Sequence, residues 1–235
     1  MKRIQLMFFI VVAMFQLKAQ TINVNYTINT NLNRKNISPF IYGACNGGYD
    51  SATFVRQGGN RMTGYNWENN ASNAGADYFH QSDNYLTWIM GINAPQDTIP
   101  GIVMTAFHDS ALAHHAMSAL TLPMAGYVAQ DKLGTSVSLA ETAPSARWLQ
   151  VVNKKPSAFS LSPNQSDNVI YVDECMNYLI HQYGLSSTST GIKSYLLDNE
   201  SALWVSTHPR IHPLQPGIAE HTSKSVALAK TIKDM

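Results

Sequence analysis

Two hydrophobic periods take turns along this chain, and their alternation restricts its fold more than any other feature. Period two marks a half-buried strand, and recurrence at i, i+3, i+4 and i+7 marks an amphipathic helix. Strand patterns fall at Ile37 to Gly43, around Arg61, from Leu120 to Val128 and from Ile192 to Leu197. Helix patterns lie between and after them. One is capped by Ser82 or Asp83 and runs through Leu86, Ile89 and Met90; a second covers Ser110 to Ala119. A third opens at Asp167 or Asn168, carries Val172, Cys175, Met176, Leu179 and Tyr183 on one face, and stops at Gly184. The last, Ile218 to Lys233, aligns Val226, Ala229 and Ile232. Strands alternating with helices predict an α/β fold with parallel strands. The strands near Ile41, Arg61, Met124 and Tyr195 make four βα units. That is half of a (β/α)8 barrel, which takes about 250 residues. The last helix has no cap glycine and no closing strand, so the expectation for 37–235 is the N-terminal half of such a barrel. Gln130 to Lys155 reads as a long irregular loop.

The first residues read as a signal peptide over 1–19: Lys2 and Arg3, then an apolar run from Leu6 to Phe15 that is short for a bilayer span, then Ala19 before the cut. Export and a secreted location follow as expectations, with no membrane association after cleavage. Losing Lys2, Arg3 and Lys18 takes the net charge from +1 to −2. A weakly acidic chain without Lys/Arg clusters is a poor nucleic-acid binder. Charged residues make up 13% of the chain, against about 25% in ordinary domains. Asn, Ser, Thr and Gln fill the gap, a composition suited to neutral, hydroxyl-rich ligands. With two cysteines the chain is no disulfide scaffold, and Cys175, on a helix's apolar face, reads as a buried free thiol.

Candidate chemistry concentrates in Asp198-Asn199-Glu200, followed by Leu203-Trp204, at the C-terminal end of a predicted strand. Cleaving a glycosidic bond needs a protonated carboxyl beside the leaving oxygen and a second carboxylate at the anomeric carbon. A Glu beside apolar residues at a strand end fits the first role, and a neighbouring Asn can bind a sugar hydroxyl. Among the aromatics, Tyr65, Trp67 and Trp204 are candidates for stacking on sugar rings. Trp67 stands out because it lies in the Asn-rich stretch 66–77. Trp148 reads as a packed anchor. The histidines His208 and His212 have the spacing of a zinc-protease pair, but Pro209 and Pro213 argue against the helix that such a pair needs. Asp77, Asp83 and Glu68 could hold a structural calcium, although their spacing matches no EF-hand loop. No other metal or cofactor is expected. No G-x-S-x-G, P-loop or dinucleotide glycine pattern occurs.

Longer matches give these residues a context. Gly58 through Asn70 (GGNRMTGYNWENN), Ala71 to Gly75, Leu122 to Val128, Pro144 to Trp148, Tyr171 to Glu174, Leu197 to Glu200 and Thr207 to His212 resemble, in order, glycoside hydrolase family 44. The resemblance runs from about Ile37 onward. It implies a (β/α)8 barrel with a smaller β-sandwich domain, and retaining, endo-acting hydrolysis of β-1,4-glucans such as cellulose and xyloglucan. It implies Glu200 as acid/base, Asn199 on the hydroxyl next to the anomeric carbon, and Arg61 near the nucleophile. Tyr65, Asn66, Trp67 and Trp204 would line the substrate. The alternating Ile22, Val24, Tyr26 and Ile28, within 20–36, would be a sandwich strand. The partner expected is a β-glucan polysaccharide, bound by a monomer. Two departures follow. Ser201 stands where the family usually has Pro, and the family's nucleophilic Glu would lie beyond Met235. The fragment is therefore expected to be inactive alone. The rival reading is a secreted carbohydrate-binding protein without catalysis; a third, a zinc hydrolase, would be tested by chelation.

Overall fold

The computed structural model describes residues 22–235, in two compact units that divide at Ile37. The signal-peptide expectation for 1–19 lies outside the described residues. In the first unit, residues 22–37 form no strand. The alternation of Ile22, Val24, Tyr26 and Ile28 has no ladder partner among the described residues, and without one a strand cannot satisfy its backbone.

The second unit is built on a four-stranded sheet: β1 (Gly43–Cys45), β2 (Phe54–Arg56), β5 (Met117–Leu122) and β10 (Ser194–Leu197), side by side in that order. All three pairings are parallel, with Ala44 opposite Val55, Val55 opposite Ser118, and Leu120 opposite Tyr195. β5 is covered on both faces, as strands of parallel sheets are. Between these strands lie α1 (Asn60–Thr63), β3 (Ser72–Asn73), β4 (Gln81–Asp83), α2 (Tyr85–Ile89), α3 (Ile102–Ala113), β6 (Tyr127–Ala129), β7 (Thr135–Ser136), β8 (Trp148–Val152), β9 (Val169–Tyr171) and α4 (Val172–Tyr183). After β10 come α5 (Trp204–Thr207) and α6 (Ile218–Asp234). The long helix α3 carries the chain from β2 to β5, α4 carries it from β5 to β10, and α6 packs on β10 and α4. The order of elements establishes an α/β fold. Two small sheets, β3-β4-β7 and β6-β8-β9, are inserted after β2 and β5.

Several element boundaries differ from the sequence reading. The residues around Arg61 form α1 rather than a strand, because Gly58-Gly59 turns the chain after β2. The strand near Met124 ends at Leu122, since Pro123 has no N–H to give a ladder, and Tyr127 to Ala129 joins another sheet. The Ser110 to Ala119 helix begins earlier, at Ile102, and stops at Ala113. Ile37 to Gly43 is mostly a 3₁₀ turn at Pro39–Ile41, with β1 following. The stretch Gln130 to Lys155 holds β7 and β8, tied down by Arg147 on Asp131 and Glu141. The helix expected from Asp167 or Asn168 begins only at Val172, because Val169–Tyr171 pairs with β8 as β9, and it stops at Gly184 as expected. The strand expected from Ile192 begins at Ser194 and ends at Leu197 as expected. Cys175 is buried and unpaired, and burial pushes its thiol upward.

The Asn-rich stretch 66–77 is a buried polar knot rather than a free loop. Asn66 Nδ2 donates to the Ala129 carbonyl, Asn70 Nδ2 to that of Ile99, and Asn73 Nδ2 to that of His80. Their Oδ1 atoms accept from Glu68 N–H, Tyr65 O–H and Gly75 N–H. Each amide therefore stands in for a backbone unit that no sheet supplies. This knot places Trp67 inward, 2% exposed, against Tyr178 at 5.7 Å between ring centroids. Trp67→Ala is expected to lose about 3–5 kcal/mol of stability in urea unfolding of the full-length gene product. A loss below about 1 kcal/mol, with weakened sugar binding, would return Trp67 to the surface role.

Candidate active site

Because β2, β5 and β10 run parallel, their C-terminal ends share one edge. They deliver Gln57-Gly58-Gly59-Asn60, Pro123-Met124-Ala125 and Asp198-Asn199-Glu200 to it. Ligands of parallel α/β sheets bind outside this edge. A cavity of about 410 Å³ opens here, lined by Arg56, Gly59, Asn60, Asp77, Asp198, Asn199 and Glu200. A second, about 430 Å³, shares Gly59, Asn60 and Asp77 with it and reaches past Arg61 to Tyr85.

The Glu200 turn is strained. Asp198 and Glu200 both take left-handed backbone, φ 66° and 45°. Each costs about 1–2 kcal/mol for a residue with a Cβ. The Asp198 carboxylate offsets that cost. It is buried, and it accepts from Thr63 Oγ1 (2.5 Å) and from the N–H groups of Asn199 (2.7 Å), Met124 (2.6 Å) and Ala125 (2.9 Å). Burial raises its pKa, and these hydrogen bonds pull it back down. One side chain thus ties α1, the end of β5 and the end of β10 together. Asn199 follows: its Oδ1 accepts from Gly59 N–H at 3.3 Å, and its Nδ2 donates to Asn60 Oδ1 at 3.1 Å and Glu200 Oε2 at 3.4 Å. Gly59 sits at φ 102°, a conformation that a side chain would oppose. Glu200 itself is exposed at the cavity. Asp198 enters the sequence reading only as part of a motif. A buried carboxylate among backbone donors leaves no spacing signal, so its clamping role appears only in three dimensions.

Of the expected site residues, the fold brings Glu200 and Asn199 together at the cavity and Arg61 into the adjoining one. Arg61 is already engaged. Its guanidinium grips Asp83 through both nitrogens, donates to Ser72 Oγ, and lies 4.2 Å over the Tyr85 ring. Tyr65, Asn66, Trp67 and Trp204 are at most 2% exposed and face the interior, not the cavity. Apolar burial and the asparagine knot claim the first three. Trp204 is covered by Lys224 and His212. Trp148 is the packed anchor expected, donating Nε1–H to the Glu141 carbonyl.

Asp77, Asp83 and Glu68 do not converge. Asp77 accepts from Asn60, Asp83 belongs to Arg61, and Glu68 lies in the interior with Oε2 unpartnered. Among the described residues no three His, Cys, Asp or Glu side chains are grouped to hold a metal. His212 instead pairs with Glu220, and His208 is buried beneath Gly75. At Gly75 a Cβ would come within 2.2 Å of the Thr207 carbonyl, so only glycine permits the loop carrying Asp77 to lie against the segment after Glu200.

Two outcomes are expected. Asp198→Asn puts an NH2 among N–H donors and should cost about 2–3 kcal/mol, while Thr63→Val should cost about 1 kcal/mol, both by urea unfolding. Equal losses would argue against the clamp. Glu68 has its pKa raised to about 8, first by burial and then by Asp167 and Glu174. A raised carboxyl stabilises the fold below its unfolded pKa, and that stability is lost as pH climbs through the folded pKa. Melting temperature should therefore fall between roughly pH 4.5 and 8, and Glu68→Gln should flatten that fall. A fall as steep in Glu68→Gln as in the wild type would assign it to other groups.

Comparison with known proteins bears on this geometry. The profile of glycoside hydrolase family 44 matches residues 71–235. A β-mannanase/endoglucanase A of Caldicellulosiruptor saccharolyticus is 54% identical over 90% of this chain, and an endoglucanase A of Paenibacillus lautus is 51% identical over 91%. The chain spans 16% and 31% of the length of those relatives. The solved xyloglucanase of Paenibacillus polymyxa superposes with a TM-score of 0.83 at 52% identity, over 85% of this chain and 39% of that one; its structure with xyloglucan gives 0.81. The chain belongs to glycoside hydrolase family 44.

Proposed function

We propose that this chain is the first part of the catalytic domain of an exported, endo-acting β-1,4-glucan hydrolase that retains anomeric configuration, with Glu200 as acid/base. The observation that carries this reading is the Asn199-Glu200 pair at the cavity, on the edge where β2, β5 and β10 end. The relatives' names, endoglucanase, β-mannanase and xyloglucanase, support a polysaccharide substrate. In this reading β1, β2, β5 and β10 are the first four strands of a (β/α)8 barrel.

The chemistry runs as follows. The Glu200 carboxyl protonates the glycosidic oxygen while a nucleophilic carboxylate attacks the anomeric carbon from the other face. Glu200 then takes a proton from the water that releases the glycosyl-enzyme. In this reading Asn199 Nδ2 exchanges its long 3.4 Å contact with Glu200 Oε2 for the adjacent sugar hydroxyl. The pair of carboxyls must stand about 5–5.5 Å apart. The family resemblance puts the second beyond Met235, so the reading holds residues 20–235 to be inactive alone.

The test is reducing-sugar release from carboxymethylcellulose and xyloglucan by the full-length gene product. Glu200→Gln should lower the rate at least ~10²-fold, as loss of a general acid does. Equal activity in mutant and wild type would remove Glu200 from the mechanism. Inert wild type would favour a carbohydrate-binding protein without catalysis.

A further inference from the structure

The clamp at Asp198 holds the Glu200 turn from one side only. Beyond Glu200 the chain enters a 3₁₀ turn, Ser201–Leu203, closed by Leu203 N–H on the Glu200 carbonyl at 2.7 Å. The Glu200 side chain makes one hydrogen bond among the described residues, accepting from Asn199 Nδ2 at 3.4 Å. What fixes it in place is therefore the backbone on either side. On the far side, Ser201 Oγ lies 2.6 Å from Nε2 of His221, in the first turn of α6. One turn further along α6, Lys224 Nζ donates to the Ala125 carbonyl at 3.2 Å. Ala125 N–H in turn donates to Asp198. The contacts close a ring: Asp198, Ala125, Lys224, His221, Ser201, and back through Glu200. α6 is itself anchored by Leu228 and Thr231, each 1% exposed, so His221 sits on a fixed support.

From this ring we infer that His221 is a positioning residue for Glu200, acting through the Ser201 hydroxyl. The inference rests on Glu200 being the acid/base. Proline at the first position of a helical turn stiffens the backbone by fixing φ. Serine leaves φ free, and here a hydrogen bond to a neighbouring helix supplies the restraint instead. The bond is exposed, so its loss should barely change global stability. Its consequence is the orientation of a carboxyl that must meet the glycosidic oxygen closely.

The experiment compares wild type, Ser201→Ala, His221→Ala, the double variant and Ser201→Thr in the full-length gene product. Two readouts are taken: amide hydrogen exchange of a peptide spanning residues 199–205, and kcat and KM on xyloglucan and carboxymethylcellulose. Expected are faster exchange in both alanine variants, kcat lowered roughly 10-fold with KM little changed, and a double variant no worse than either single one. Ser201→Thr, which keeps the hydroxyl, should behave as wild type. Unchanged exchange overturns the inference, as does unchanged kcat, a loss confined to KM, or losses that multiply in the double variant. A wild type inert on both glucans counts against the acid/base reading instead; the exchange data then decide the tie alone, supporting it if faster and overturning it if not.

Discussion

The arrangement at the cavity depends on one buried carboxylate. Asp198 has no cationic partner among its contacts, yet four donors from three parts of the chain converge on it. A buried anion is costly unless its lone pairs are filled, and backbone N–H groups fill them without bringing another desolvated charge. The same contacts hold two residues in left-handed backbone. Strain and burial therefore occur together, at the turn that sets Glu200 at the cavity. Removing Asp198 would release the strain and the Glu200 geometry with it.

The α/β class was legible in the sequence because α4, α6 and β10 have clean periods. The short strands were not. β1 and β2 are three-residue strands, too brief for alternation to register, and the glycine-flanked segment beside β2 carries the stronger pattern. Asn199 and Glu200 stood out in the sequence because a motif carries them, and the fold sets both at the cavity. The aromatic candidates failed because a polar neighbourhood is poor evidence of exposure. Asn66, Asn70 and Asn73 are themselves buried, and their amides satisfy the backbone of an irregular segment. The chain's low charge and abundance of amides thus reflects, in part, internal knitting rather than a sugar-facing surface. Only the composition could be read from sequence; where each amide pointed could not.

Arg61 shows the same limit. Its place in the motif suggested a partner for a nucleophile, but Asp83, twenty-two positions away, takes its charge. That ion pair is partly sheltered and stacked on Tyr85, so it fixes the wall of the second cavity. The two cavities meet at Gly59, Asn60 and Asp77, which line both.

The central claim is that the clamped turn presents Glu200 to a glycosidic oxygen. The most direct measurement is a crystal structure of the full-length Glu200→Gln protein with a bound cello-oligosaccharide. The account predicts the substituted amide side chain at position 200 within about 3 Å of a glycosidic oxygen, with Asn199 on the neighbouring hydroxyl. A sugar chain bound away from that position, with the Asp198 contacts intact, would contradict it.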